Sequence, residues 1–200
     1  MFNSKFLQTS SVTFPEFKGE RQYMRKFFKN QGLPSDLARW QETVDQMLIG
    51  VETDNPIFIM IDQGVVKSGT SHRRGGKHID GYWQENINAH GGGHGGHRIS
   101  ASWRTVPKWS TAELKEPEAI ILASSIAACN AYVGTWDGII GEGGDCSNID
   151  TSNMQKVSLQ ANKTYIGNVG FIHESIPVDK DVERTLVRLN VKNWEPACFA

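Results

Sequence analysis

Pro56-Ile57-Phe58-Ile59-Met60-Ile61 is an apolar run rich in β-branched and aromatic side chains, and it reads as a strand entered through a proline. Four more segments read the same way. Ala119 to Ala127, Ala131 to Trp136, Lys163 to Ile172 and Thr185 to Val191 are apolar or alternating stretches separated by Gly, Asn, Asp and Ser. Several short strands at this spacing predict a mainly β domain, a sandwich or a barrel, over residues 55–192.

Outward from that core, residues 1–54 read as a helical N-terminal support. Pro34-Ser35 is a helix start, and Leu37, Trp40, Val44, Met47 and Leu48 recur at helical spacing until Gly50. A helix with this apolar stripe has to cover one face of something else. Gln22 to Lys29 reads as a second short helix with Met24, Phe27 and Phe28 inward. Downstream, Ser110-Thr111-Ala112-Glu113 is a capping box closed off by Pro117.

The 200 residues fit one domain, and 38% hydrophobic against 22% charged residues is an ordinary globular balance. There is no run of about 18 apolar residues and no signal-peptide core, so neither a membrane span nor classical secretion is expected. Cys129, Cys146 and Cys198 are odd in number and include no Cys-x-x-Cys, which argues against a disulfide framework and a thiolate zinc site and favours a cytoplasmic setting. Cys129 follows Ala127-Ala128 and reads as a small core residue.

The net charge of −1 is unevenly laid out. Seven Lys/Arg lie between Gln63 and Trp109, against Asp80 and Glu85 alone. That segment can attract an anion, although nothing in it demands bulk nucleic-acid binding. Ala89 to Arg98, AHGGGHGGHR, holds five glycines and three histidines. It reads as a surface loop whose ordering entropy opposes a dedicated metal cage. No phosphate-binding Gly-rich Lys-Ser/Thr loop, no His-Glu-x-x-His and no nucleophile elbow is present.

The chemistry-bearing constellation is Lys77-His78-Ile79-Asp80-Gly81, then Gly170-Phe171-Ile172-His173-Glu174-Ser175, then Arg184-Thr185-Leu186-Val187-Arg188. In a strand, residues i and i+2 share a face, so His78 and Asp80 present an imidazole and a carboxylate together. Val169, Phe171 and His173 share another face, which an enclosing fold would turn inward. Two His and one carboxylate form a facial triad of the kind that binds Fe(II) and leaves positions open.

On these residues the chain resembles the Fe(II)/2-oxoglutarate-dependent dioxygenases, whose pattern is His-x-Asp, a later His and an Arg about ten residues beyond it. The resemblance implies a double-stranded β-helix, or jelly roll, with the N-terminal helices supporting it. It implies Fe(II) and 2-oxoglutarate as cofactors, with His78, Asp80 and His173 as catalytic metal ligands. Arg184 would pair the distal carboxylate of 2-oxoglutarate. Where the family often carries a small hydroxyl residue two positions after that Arg, this chain has Leu186, and Arg188 competes for the role. The planar guanidinium fork suits a carboxylate better than an ammonium does.

Tyr82, Trp83, Asn130, Tyr132 and Trp136 are expected to line a cleft, and Lys67, Arg73 and Arg74 to meet an anionic substrate. Glu142 and Asp145 read as solvated turn residues. The expected activity is hydroxylation using a small-molecule co-substrate, with a nucleotide, a nucleic-acid base, a peptide or a small molecule as substrate. Two other readings stay open. One is a non-catalytic jelly-roll or sandwich protein of viral structural or ligand-sequestering type, suggested by a phage-like texture. The other is a metal-dependent cupin-like enzyme that uses no 2-oxoglutarate.

Overall fold

The computed structural model describes residues 1–73, 75–81, 114 and 117–199. The Gly/His segment, the Ser110 capping box, Arg74, Tyr82 and Trp83 lie outside these residues. The described chain is mainly β, with ten strands: β1 (Phe2–Ser4), β2 (Phe6–Ser11), β3 (Arg21–Phe27), β4 (Ile57–Val66), β5 (Glu118–Ser124), β6 (Cys129–Trp136), β7 (Gln155–Ser158), β8 (Lys163–Gly167), β9 (Ile172–Ser175) and β10 (Val182–Lys192). They form two antiparallel sheets. The larger runs β2-β8-β5-β10-β4-β3, and the smaller is centred on β6, which pairs with β1, β7 and β9. Among the described residues no strand pairing closes the two sheets into a barrel.

The long strands β4, β5 and β10 occupy the middle of the large sheet, and both of their faces are buried. This explains their sequence texture: a strand covered on both sides reads as a continuous apolar run rather than an alternation. Ile59, Ile61, Val187 and Leu189 face one way and pack against Leu37, Trp40, Val44 and Met47. Those four come from a 3₁₀ turn, Ser35–Trp40, that runs directly into α1 (Gln41–Met47). The expected helix is therefore present and covers a sheet face. Each such side chain, fully buried, contributes roughly 1.5–3 kcal/mol.

The opposite face of the large sheet looks at the small one. Ile120, Leu122 and Tyr165 share a core there with Cys129, Ala131 and Phe171. From β4 onward the chain keeps changing sheet. It goes from β4 to residues 77–79, which bridge to β9, then to β5, to β6 and β7, to β8, to β9 and back to β10.

Three expectations need correction. Gln22 to Lys29 is not a helix, because β3 pairs with β4 and its register shifts between Gln22 and Arg25. Met24, at φ 50° within that shift, packs on the cavity face with Phe58, Met60 and Leu186, whereas Phe27 packs on the helix-covered face. Burial on both faces of β3 therefore produced the i, i+3 apolar spacing that imitates a helix. Lys163 to Ile172 is not one strand: β8 ends at Gly167, a turn closed by Phe171 N–H to the Asn168 carbonyl at 3.0 Å follows, and β9 joins the other sheet. Finally, residues 1–54 are not helical support alone, since β1, β2 and β3 complete the two sheets. Among the described residues no helix is long and apolar enough to cross a membrane, and Cys129, Cys146 and Cys198 are free thiols.

Candidate metal centre

His78 and His173 face each other across an antiparallel bridge in which each backbone N–H donates to the other's carbonyl, at 2.9 and 3.0 Å. Directly opposed residues in such a pair turn their side chains to the same face. The two imidazole centroids are accordingly 4.5 Å apart. Asp80, two residues beyond His78, lies on that face as well. Its Oδ2 is 3.4 Å from Nε2 of His173. One ligand atom from each of His78, Asp80 and His173 lies within 4.8 Å of the others.

Orientation makes the group suitable for a metal. Nδ1 of His78 lies 2.9 Å from the Gly76 carbonyl and Nδ1 of His173 lies 3.2 Å from the Phe171 carbonyl. A carbonyl only accepts, so each Nδ1 carries the proton and the lone pair of the neutral ring sits on Nε2. A backbone acceptor fixing the tautomer in this way is the usual arrangement behind ligating histidines. The Phe171 ring stacks on His173 at 5.1 Å and limits its rotation.

Burial by itself would raise the Asp80 carboxyl, but the Arg188 guanidinium, with His173 and His78, overrides it and holds the group well below the usual carboxylate range. Arg188 also hydrogen-bonds Oδ1 of Asp80 through its NH1 and reaches Met24 Sδ at 3.4 Å through NH2. Behind the ligand strand, the Ile79 N–H donates to the Gly144 carbonyl at 2.9 Å. A Cβ on Gly144, where φ is +80°, would stand 2.1 Å from the Ile79 carbonyl oxygen. Only glycine lets that segment close on the strand carrying the histidines.

The three residues open onto a cavity of about 120 Å³ between the sheets. Met60, Leu122 and Leu186 form its apolar wall, Cys129 and Ser175 come from the small sheet, and Tyr23 and Arg73 complete the rim.

The remaining candidates divide by strand parity. On β10, Arg184, Leu186, Arg188 and Asn190 all face the cavity side, and Arg188 is taken up by Asp80. Arg184 is 0% exposed; its Nε donates to Ser124 Oγ at 3.0 Å and its NH2 to Cys129 Sγ at 3.2 Å, while its NH1 has no hydrogen-bond partner among the described residues. No carboxylate pairs with it among the described residues. Asn130 and Tyr132 do not line the cavity, because Ala131 is the residue opposite His173 and its neighbours point to the other side. There both bond Oε1 of Glu174, at 3.1 and 2.7 Å, while Trp136 joins an apolar cluster with Ile79 and Ile172. Lys67 pairs with Asp181 at 2.6 Å.

Sequence reasoning missed Asp62 and His72. Asp62 stands on the cavity face of β4, with Arg21, His72 and Arg73 around its carboxylate. An acid interrupting the apolar β4 run was the available signal. Compared with family models, with curated proteins and with solved structures, the chain matches none.

Proposed function

We propose that this chain is a non-haem Fe(II)/2-oxoglutarate-dependent oxygenase built on a double-stranded β-helix. The observation that carries the reading is the convergence of His78, Asp80 and His173 on the wall of the cavity between the sheets. Two imidazoles and one carboxylate are the donor set that suits Fe(II) while leaving positions for a co-substrate. The regular passage of the chain between the sheets supports the jelly-roll reading.

Arg184 supports the co-substrate. A guanidinium buried without an acid costs several kcal/mol unless an anion compensates it, and the distal carboxylate of 2-oxoglutarate is such an anion. Arg188, already bonded to Asp80, acts instead as a positioning residue that orients the ligand carboxylate. His78 and His173 offer Nε2 because their Nδ1 protons are committed to the backbone. Met60, Leu122 and Leu186 keep water from the space beside the triad. Fe(II) with 2-oxoglutarate and dioxygen would supply the oxidising power for hydroxylation.

Anaerobic titration of metal-free protein with Fe(II) and then 2-oxoglutarate tests this, read by the visible metal-to-ligand charge-transfer band of the chelate. The band should form in the wild type and vanish in Asp80→Ala, with iron binding lost as well. Iron binding without the band would favour a cupin-like metal enzyme independent of 2-oxoglutarate. Failure to bind iron in folded protein would favour a non-catalytic sandwich.

A further inference from the structure

Asp62 lies opposite Arg21 on one neighbouring strand and Leu186 on the other, on the face that looks into the cavity. Its Oδ1 is 3.2 Å from Nε of Arg21 and 3.4 Å from Nε2 of His72, and its Oδ2 is 3.0 Å from NH1 of Arg73. The His72 ring fits only because position 64 is glycine: a Cβ there would stand 2.8 Å from Nε2. One carboxylate is thus shared by two guanidiniums and an imidazole.

Charge and exposure here run in opposite directions. The Asp62 side chain is 11% exposed, whereas Arg73 is 37% and Arg21 72% exposed. Each guanidinium has five N–H donors and meets Asp62 through one nitrogen, which leaves further donors on both exposed side chains. Asp80 is balanced by Arg188, which leaves the pair around Asp62 one positive charge in excess at the mouth. Arg73 and Tyr23 line the same cavity as the triad, and Tyr23 keeps 47% of its surface exposed at the rim.

The geometry points to a substrate that carries a phosphate or carboxylate beside a planar ring, with Arg21 and Arg73 holding the anion and Tyr23 packing against the ring. Two planar forks converging from adjacent segments suit the oxygens of such a group, and an aromatic side chain at a half-open rim suits a flat partner. This assignment rests on the proposed metal centre as the place of reaction. The Asp62 carboxylate then acts as the anchor that aims both guanidiniums.

The probes are phenyl phosphate, inorganic phosphate and benzoate, titrated calorimetrically into metal-free protein. Phenyl phosphate should bind saturably and more tightly than inorganic phosphate, and its ranking against benzoate separates a phosphate from a carboxylate preference. Arg21→Gln and Arg73→Gln should each weaken it about ten-fold, the equivalent of one charge-assisted contact. Arg73→Lys should also weaken it, since charge is retained but the fork is lost. Tyr23→Ala should remove the advantage of the ring while leaving inorganic phosphate unchanged. Arg25→Gln, whose partner Asp36 is 2.9 Å away, is the control on the same strand and should change nothing.

Absence of saturable binding, or affinities for phenyl phosphate unmoved by the Arg21 and Arg73 variants, overturns the assignment. In that case the cluster is a clamp between residues 72–73 and β4, and the variants alter thermal stability alone. The Fe(II) and 2-oxoglutarate band is read separately in the same variants. Its retention shows that the mouth was tested with the centre intact, and its absence in the wild type sinks the 2-oxoglutarate reading through a different measurement.

Discussion

The two faces of the large sheet are made by alternate residues of the same strands, yet they differ in kind. On the helix-covered face Ile57, Ile59 and Ile61 of β4 meet Val187, Leu189 and Val191 of β10, with Trp40 and Met47 closing over them. On the other face the same two strands present Asp62, Arg184, Arg188 and Asn190. Each of these four has a buried polar atom without a hydrogen-bond partner among the described residues. Buried polar atoms are normally satisfied, so such a concentration sets this face apart from the apolar one. One face supplies the cohesion that tolerates the other's cost.

The contrast can be broken by substitution. The largest effect belongs to the dry face: Trp40→Ala should lose about 3–5 kcal/mol in urea unfolding, while iron affinity, measured where the variant is still folded, stays at the wild-type level. A fall in iron affinity at full folding would mean that the two faces are not separable.

Arg184→Leu should have the opposite sign. Removing an uncompensated buried charge should stabilise the metal-free protein by on the order of 1–3 kcal/mol, raise its Tm, and weaken 2-oxoglutarate by at least about ten-fold with Fe(II) binding retained. A destabilised variant with unchanged 2-oxoglutarate affinity would show that Arg184 is a structural cation.

The smallest effect concerns Asp62. Burial raises its carboxyl, but His72 and Arg73 outweigh that and bring it down to about 2 from the ordinary 3.8. A carboxyl depressed in the folded state stabilises above its unfolded value and loses that contribution as the pH falls through the folded one. The stability gap between wild type and Asp62→Asn should therefore be full at neutral pH, shrink below 3.8 and close only below about pH 2. A gap that does not change with pH would remove the ion cluster from the stability of this face.

Local pattern carried much of this protein. The central strands were readable because burial on both faces makes them uniformly apolar, and the 35–47 helix because Leu37, Trp40, Val44 and Met47 form one stripe. His78 and Asp80 were readable as a pair because strand parity is a local rule. The short strands β1, β2 and β7 were not. Gln155–Ser158 is polar and mostly exposed, and its extended form follows from pairing with β6 rather than from its own residues.

Everything that depended on register or on distant partners had to wait for the assembled chain. Asn130 and Tyr132 face away from the cavity because Ala131, not either of them, falls opposite His173. Arg188 serves Asp80 across 108 positions of sequence, which leaves Arg184 as a buried cation without an acid among the described residues. The Asp62 cluster likewise gathers β3, β4 and the segment leading to His78. Residue type and periodicity are properties of a segment and can be read from it. Charge compensation is a property of neighbours in space, and in this chain those neighbours come together only when the two sheets close over the cavity.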